Sequence, residues 1–327
     1  MVEKYNIRTD LALEQKERFD TDNVEISGVI VKETYDEEKE IRITTVKIET
    51  ENGAKAMGKP VGTYITIEAP SMAVDDEEIH SEISDEIAEF LQQMISKDVC
   101  PQNVLVVGLG NRQVTPDALG PYVVDNLMVT RHIILEYGKY TMEDSDSVSA
   151  IVPGVMGQTG MESLEIIRGV VSETKPDIVI VIDALAARSA KRLNRTIQIA
   201  DTGIHPGSGV GNHRNTISKE TLGIPVIALG VPTVIDAATI VNDAMENFLQ
   251  ELEHSERLRG VGVVMQGYSM QEKYELIKDL IQPYLNRFFV TPKDIDETVK
   301  RISFTISEGL NRLFNGKIHE CSRHRID

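Results

Sequence analysis

The sequence is poor in cysteine and in long apolar runs. Its two cysteines, Cys100 and Cys321, are far apart and belong to no CxxC pair. A disulfide scaffold is therefore excluded, and two ordinary thiols suit a reducing compartment. No apolar run approaches membrane-spanning length, and the amino-terminal MVEKYNIRTD is polar and charged where a signal peptide needs an apolar core. We expect a cytoplasmic protein with no membrane partner.

Basic residues are outnumbered as well. The chain has 34 lysines and arginines against 52 acidic residues, which gives a net charge of -18. Such a surface repels a phosphate backbone, so we expect no nucleic-acid partner. Acidic surfaces commonly serve solubility alone, and the charge names no other partner.

Several catalytic signatures are missing. There is no G-x-S-x-G elbow of a serine hydrolase and no HExxH or paired-cysteine zinc motif. The glycine-rich segments lack the GK[ST] ending of a phosphate-binding loop. A predicted strand followed by Gly108 and Gly110 resembles the start of a dinucleotide-binding motif. Gln113 occupies the place of the third glycine, however, which argues against such a site.

The pattern of apolar residues indicates an α/β fold. Residues 24–69 are rich in β-branched residues broken by turns, and 75–97 have apolar residues at helical spacing. Helices are predicted over 241–254, 274–288 and 296–314. Between these regions, four short apolar runs typical of strands buried on both faces of a parallel sheet are NVLVVGLG, VSAIVPGV, DIVIVIDA and IPVIALGV.

We therefore predict a mostly parallel sheet flanked by helices, with a β-rich amino-terminal portion and carboxyl-terminal helices. We assign residues 11–327 to a single domain. Within it, 11–100 form the β-rich portion with its helix, 101–250 the catalytic core and 251–327 a helical tail. In open α/β sheets the ligand crevice lies beyond the carboxyl ends of the strands, so the residues that follow these runs are the site candidates.

The first candidate follows the first buried run. Gly108 and Gly110 permit a tight turn and close backbone approach, and Asn111 comes next. Pro116 suits a first helical turn, which places Asp117 in the positive field at a helix amino terminus. Asp117 is either a helix cap or a site residue.

The second candidate is Asp183, which closes the apolar run over 177–183. It is either an anchor for the next loop or a residue of the crevice. If the two strands are adjacent, Asp117 and Asp183 lie at one sheet edge. Two neighbouring carboxylates repel, so one tends to keep its proton while the other is ionised, which suits acid–base activation of water.

The third candidate is the glycine-rich loop over 201–212. The backbone amides around Gly207 and Gly209 could cradle a substrate carbonyl, and His205 could bind a metal or donate a hydrogen bond. The loop begins with Asp-Thr-Gly, a triplet of pepsin-like proteases. Those enzymes are all-β and use two copies, which a homodimer of this chain could supply, so Asp201 stays a rival nucleophile-activating residue.

Six motifs in order resemble the germination protease family of spore-forming bacteria: VVGLGN, VTPDALGP, SAIVPGVMGQTG, IDALAARS, DTGIHPGSGVGN and ETLGIPVIALGVPTV. The resemblance implies an endopeptidase of the spore core that degrades small acid-soluble spore proteins during germination and needs no cofactor. It also implies an inactive homotetrameric zymogen. The family's two proposed catalytic aspartates fall on Asp117 and Asp183.

The segment over 5–14 is similar to the processing region of that family. The resemblance implies cleavage between Asp10 and Leu11, with residues 1–10 as a propeptide. The alternative is that ten polar terminal residues form a disordered tail.

A fainter resemblance links residues 103–250 to hydrogenase maturation endopeptidases, which have a phosphorylase/hydrolase-like α/β fold. It implies a divalent metal held by Asp117, Asp183 and His205. Three hypotheses thus remain: a peptidase that uses the aspartate pair alone, a metal-dependent peptidase, and a non-catalytic ligand-binding module.

Overall fold

The computed structural model describes residues 9–21, 26–95, 101–207, 214–237, 239–241, 244 and 288–316. One sheet runs through the molecule in the order β1-β2-β3-β7-β8-β6-β4-β5, with β9 paired to β8. Its strands are β1 Val29–Asp36, β2 Ile41–Ile48, β3 Gly62–Glu68, β4 Asn103–Gly108, β5 Ser147–Ile151, β6 Ile178–Ala187, β7 Thr196–Ala200, β8 Val226–Asp236 and β9 Phe289–Val290.

The four apolar runs form the parallel half of the sheet. They are β4, β5, β6 and β8, and each of the pairs β4–β5, β4–β6 and β6–β8 is parallel. β6 is buried along nearly its whole length, as expected for a strand covered on both faces. The carboxyl ends of β4 and β6 are neighbours, with Gly108 opposite Ile182.

The amino-terminal strands extend the same sheet in antiparallel fashion. β1, β2 and β3 form a meander, and β3 pairs with β7, which in turn pairs antiparallel with β8. The sheet is therefore mixed. β7 was not predicted, and it is the strand that joins the β-rich portion to the parallel core.

Helices cover both faces, which confirms the predicted α/β fold. They are α1 Ala12–Thr21, α2 Glu51–Met57, α3 Glu77–Ile95, α4 Leu119–Asn126, α5 Arg131–Tyr137, α6 Met156–Thr159, α7 Ser163–Thr174, α8 Lys219–Leu222 and α9 Ile295–Asn315. α3, α4 and α9 pack their apolar residues on one face of the sheet, and α7 packs on the other. α3 and α9 confirm the predicted helices over 75–97 and 296–314. The main parts of those over 241–254 and 274–288 lie outside the described residues.

Within the part of the chain that the structure describes, no helix is long and apolar enough to cross a membrane. The predicted boundaries at residues 10, 100 and 250 stay predictions.

Candidate active site

The turn after β4 depends on two glycines. Gly110 has φ 111°, and a Cβ there would lie 1.9 Å from the carbonyl oxygen of Asp117. A Cβ on Gly108 would lie 2.3 Å from the carbonyl oxygen of Gly120 in α4. Only glycine permits this positive φ without strain and this close approach. The backbone of β4 therefore lies directly against the segment that carries Asp117.

Asp117 lies in a short 3₁₀ turn, Thr115–Asp117, which precedes α4. Its Oδ2 accepts a hydrogen bond of 2.7 Å from the backbone N–H of Asn111. Burial raises the pKa of Asp117, while the Asn111 hydrogen bond and the positive charge of Arg214 act in the opposite direction. The carboxyl group is thus half-buried but has two groups that favour its ionised form.

Asp183 is the more deeply buried acid. Only 6% of it is exposed, and its Oδ1 accepts a 3.0 Å hydrogen bond from the backbone N–H of Ala184. Burial raises the pKa of Asp183 well above its ordinary value, and the negative charges of Asp117 and Asp10 raise it further. Asp183 therefore favours its protonated form more strongly than Asp117 does.

The two aspartates line one cavity of about 410 Å³. Asp10, Gly110, Gly207 and Arg214 are also among its lining residues. The parallel pairing of β4 with β6 brings the two acids to this edge of the sheet. A buried acid beside a more readily ionised one is suited to move protons to and from a water molecule.

His205 lies elsewhere. It lines a second, smaller cavity of about 50 Å³ together with Lys59, Tyr64 and Gln198, and its Nδ1 is 2.7 Å from Thr216 Oγ1. Burial, and then the positive charge of Lys59, lower the pKa of His205.

Of the other loop candidates, Gly207 lines the cavity of the aspartate pair, whereas Asp201 is not among its described lining residues. Asp201 is exposed, and its Oδ1 accepts a 2.7 Å hydrogen bond from the N–H of Thr63. It holds the loop against β3. Gly209 lies outside the described residues.

The described side chains do not fit a three-ligand metal centre. Among them, no three His, Cys, Asp or Glu residues are grouped as a metal ion requires. His205 lines a different cavity from Asp117 and Asp183. We therefore derive no chemical step through a metal.

The segment that precedes α1 lies against the end of β6, and its Asp10 lines the cavity of the two aspartates. Asp10 donates its N–H to the carbonyl of Ala186 at 3.0 Å, and the N–H of Ala186 donates to Oδ2 of Asp10 at 2.9 Å. Leu11 is fully buried and packs in a cluster with Leu185, Leu193 and others. The bond between Asp10 and Leu11 thus lies beside the end of β6, three residues beyond Asp183.

Comparison with known proteins identifies the family. The model of peptidase family A25, germination protease, matches residues 6–260. The chain belongs to the germination protease family. Its activity is that of a peptidase.

Germination proteases from several bacteria match along almost the whole chain. That of Caldanaerobacter subterraneus is 50% identical over 315 residues and covers 95% of each chain. That of Bacillus subtilis is 41% identical over 360 residues and covers 98% of this chain and 96% of its own. A hydrogenase maturation protease, HycI from Thermococcus kodakarensis, superposes with a TM-score of 0.32 at 17% identity, over 64% of this chain and 94% of its own. A likeness of that size carries no argument about the site.

Three residues that line the two cavities were not predicted from the sequence. Arg214 faces the two aspartates, and Lys59 and Gln198 line the smaller cavity. Gln198 left a detectable signal, since it is the amide-bearing residue in the otherwise apolar run around TIQIA. A buried amide in a strand needs hydrogen-bond partners, and those partners are part of the site.

Proposed function

We propose that the chain is an endopeptidase of the spore core that cleaves small acid-soluble spore proteins during germination, with Asp117 and Asp183 as its catalytic residues. The observation that carries the proposal is the shared cavity of the two carboxyl groups. Family membership supports the substrate class.

The different surroundings of the two acids support different roles. Asp117 accepts the Asn111 N–H and faces Arg214, so it acts as the general base that takes a proton from water. Asp183 is more buried and holds a proton. It gives that proton to the leaving nitrogen, while the water oxygen adds to the carbonyl carbon and the C–N bond breaks.

We further propose that residues 1–10 are a propeptide and that the chain cleaves itself between Asp10 and Leu11. Asp10 lines the same cavity as the aspartate pair, and Leu11 is buried beside it. An uncut segment in this position obstructs the cavity for other substrates. A cavity occupied by the uncut segment thus explains an inactive zymogen in which the two acids keep their positions.

The homotetrameric zymogen rests on family likeness alone. Light scattering of the uncut protein checks it, with four times the chain mass of 36.4 kDa as the expected result.

We predict that both acids are required for cleavage. Asp117→Asn and Asp183→Asn each lose a proton-transfer group while keeping side-chain size, so we expect at least about a 100-fold loss of rate. The measurements are the appearance of a protein that begins at Leu11 and cleavage of a small acid-soluble spore protein. Circular dichroism should show an unchanged fold.

Asp201→Asn is the matched control, because Asp201 is an exposed acid of the rival triplet. It should process itself and cleave substrate at the wild-type rate. Near-normal cleavage by Asp117→Asn, or loss of cleavage in Asp201→Asn alone, would refute the assignment.

A further inference from the structure

Two side chains donate hydrogen bonds to the carbonyl oxygen of Asp10. Lys59 Nζ lies 2.8 Å from that oxygen, and Gln198 Nε2 lies 3.1 Å from it. Gln198 is 8% exposed. A carbonyl oxygen has two lone pairs, and the two converging donors, one of them buried, use both of them.

The amide of Gln198 also spans the neighbouring bond. Its Oε1 accepts a 2.7 Å hydrogen bond from the N–H of Ala12, while its Nε2 donates to Asp10. One rigid group therefore contacts the chain on both sides of the Asp10–Leu11 peptide. This fixes the carbonyl oxygen in direction as well as position.

Asp10 lines both cavities, that of Asp117 and Asp183 and the smaller one of Lys59 and Gln198. The residue whose carbonyl oxygen the two donors hold thus also reaches the cavity of the acid pair. Hydrogen-bond donors at the carbonyl oxygen and a general base for water are the two parts of an oxyanion-hole mechanism.

We propose that Lys59 and Gln198 are catalytic residues that stabilise the negative charge on the Asp10 carbonyl oxygen when the Asp10–Leu11 bond is cut, a role that rests on the proposed processing site. Water adds to the carbonyl carbon and gives a proton to Asp117, while the electron pair of the C=O bond moves to the oxygen, where the two hydrogen bonds stabilise the negative charge. The pair returns as the C–N bond breaks and Asp183 gives its proton to the nitrogen, leaving the Asp10 carboxyl group and the Leu11 amine.

The segment has further anchors besides the two donors. Leu11 is fully buried in its own apolar cluster. Glu14 is 1% exposed and accepts hydrogen bonds from the N–H groups of Arg188 and Ser189, at 2.7 and 2.9 Å. Both anchors lie on the carboxyl-terminal side of the Asp10–Leu11 bond and remain when either donor is removed.

The test uses full-length protein and the first-order rate at which the Leu11 amino terminus appears. Gln198→Glu keeps an acceptor for the Ala12 N–H but replaces the donor with a carboxylate oxygen. Gln198→Met and Lys59→Met remove a donor without adding charge. Loss of one oxyanion donor costs about 100- to 1,000-fold in rate, so we expect losses of that order, with Gln198→Glu slowest.

Two further variants act as controls. Lys59→Arg retains N–H donors and should recover a substantial part of the rate lost in Lys59→Met. Lys47→Met removes an exposed lysine that pairs with Glu49, and it should process at the wild-type rate.

Hydrogen exchange of the Asp10 amide, which donates to the carbonyl of Ala186, separates a loss of catalysis from a loss of the segment's position. The Ala12 amide is left out, because Gln198→Met removes its acceptor. We expect unchanged protection in the Met variants despite their slow processing. A variant rate within threefold of wild type, or a slow rate accompanied by lost protection, overturns the oxyanion role. If wild-type protein itself yields an amino terminus other than Leu11, the processing site fails and the oxyanion role falls with it.

Discussion

At the scale of single residues, the surroundings of Asp183 oppose its ionisation. Asp183 is buried and has two negative neighbours, Asp117 and Asp10. A structural role would not need an acid here, because an amide of the same shape could accept the Ala184 N–H equally well. An acid in surroundings that oppose its ionisation therefore favours a functional role.

This leads to a prediction about stability and pH. Burial raises the folded-state pKa of Asp183 well above its ordinary value of 3.8, which the unfolded chain retains. Below 3.8 both states are protonated, and as the pH rises towards the folded pKa the unfolded chain loses its proton first. The contribution of Asp183 to stability is therefore lost as the pH rises through this window.

Asp183→Asn cannot ionise, so it should be more stable than wild type at pH 7. The difference in free energy of unfolding should grow above pH 4 by up to about 1.4 kcal/mol per pH unit until the folded pKa is passed. Urea denaturation at pH 4, 5, 6 and 7 measures it. A variant less stable than wild type at pH 7, or a difference that shrinks with rising pH, would contradict the assignment.

At the scale of elements, the position of Asp117 depends on how closely α4 crosses the ends of β4 and β6. A Cβ on Gly120 would lie 2.4 Å from the carbonyl oxygen of Leu109 and 2.7 Å from that of Ile182. These are backbone atoms that cannot move independently of the sheet. The close packing of α4, which follows Asp117, against β4 and against β6, which carries Asp183, thus depends on one small residue.

Gly120→Ala should lower the free energy of unfolding by about 1–3 kcal/mol, as overpacking does, and should also slow self-processing because it shifts Asp117 away from Asp183. Gly169→Ala is the matched control. Gly169 lies in α7 with no atom within 4 Å of the added Cβ, so alanine should stabilise by about 0.5–1 kcal/mol. Denaturation midpoints measure both variants. A Gly120→Ala protein as stable as wild type would show that α4 does not pack tightly against the ends of β4 and β6.

The sequence predicted individual strands and helices better than it predicted which of them lie side by side. The buried strands β4, β6 and β8 follow from apolar runs, and α3 and α9 from helical spacing. β7 alternates polar and apolar residues over its five positions, but it is buried throughout. Its pairing with β3 and β8 depends on residues elsewhere in the chain. The contact between Asp10 and Ala186 joins residues 176 positions apart, and no local pattern encodes such a distance.

At the scale of the whole molecule, ion pairs around Arg192 connect the amino-terminal segment to the rest, and of the three acids only Glu14 is fully buried. Arg192 contacts Glu17 at 2.7 Å, Glu68 at 2.9 Å and Glu14 at 3.4 Å. These acids belong to α1 and β3, while Arg192 follows β6. One guanidinium group therefore links α1 to both halves of the mixed sheet.

Arg192→Met should cost about 3–5 kcal/mol of stability, because it leaves Glu14 buried without its cationic partner. Arg42→Met is the control, since Arg42 and its partner Glu33 are about half exposed, at 52% and 53%, and such surface pairs contribute at most about 1 kcal/mol. Urea denaturation at one fixed protein concentration compares the two variants with wild type. Equal small losses in both would contradict the prediction and would mean that the backbone N–H groups of Arg188 and Ser189 hold Glu14 without Arg192.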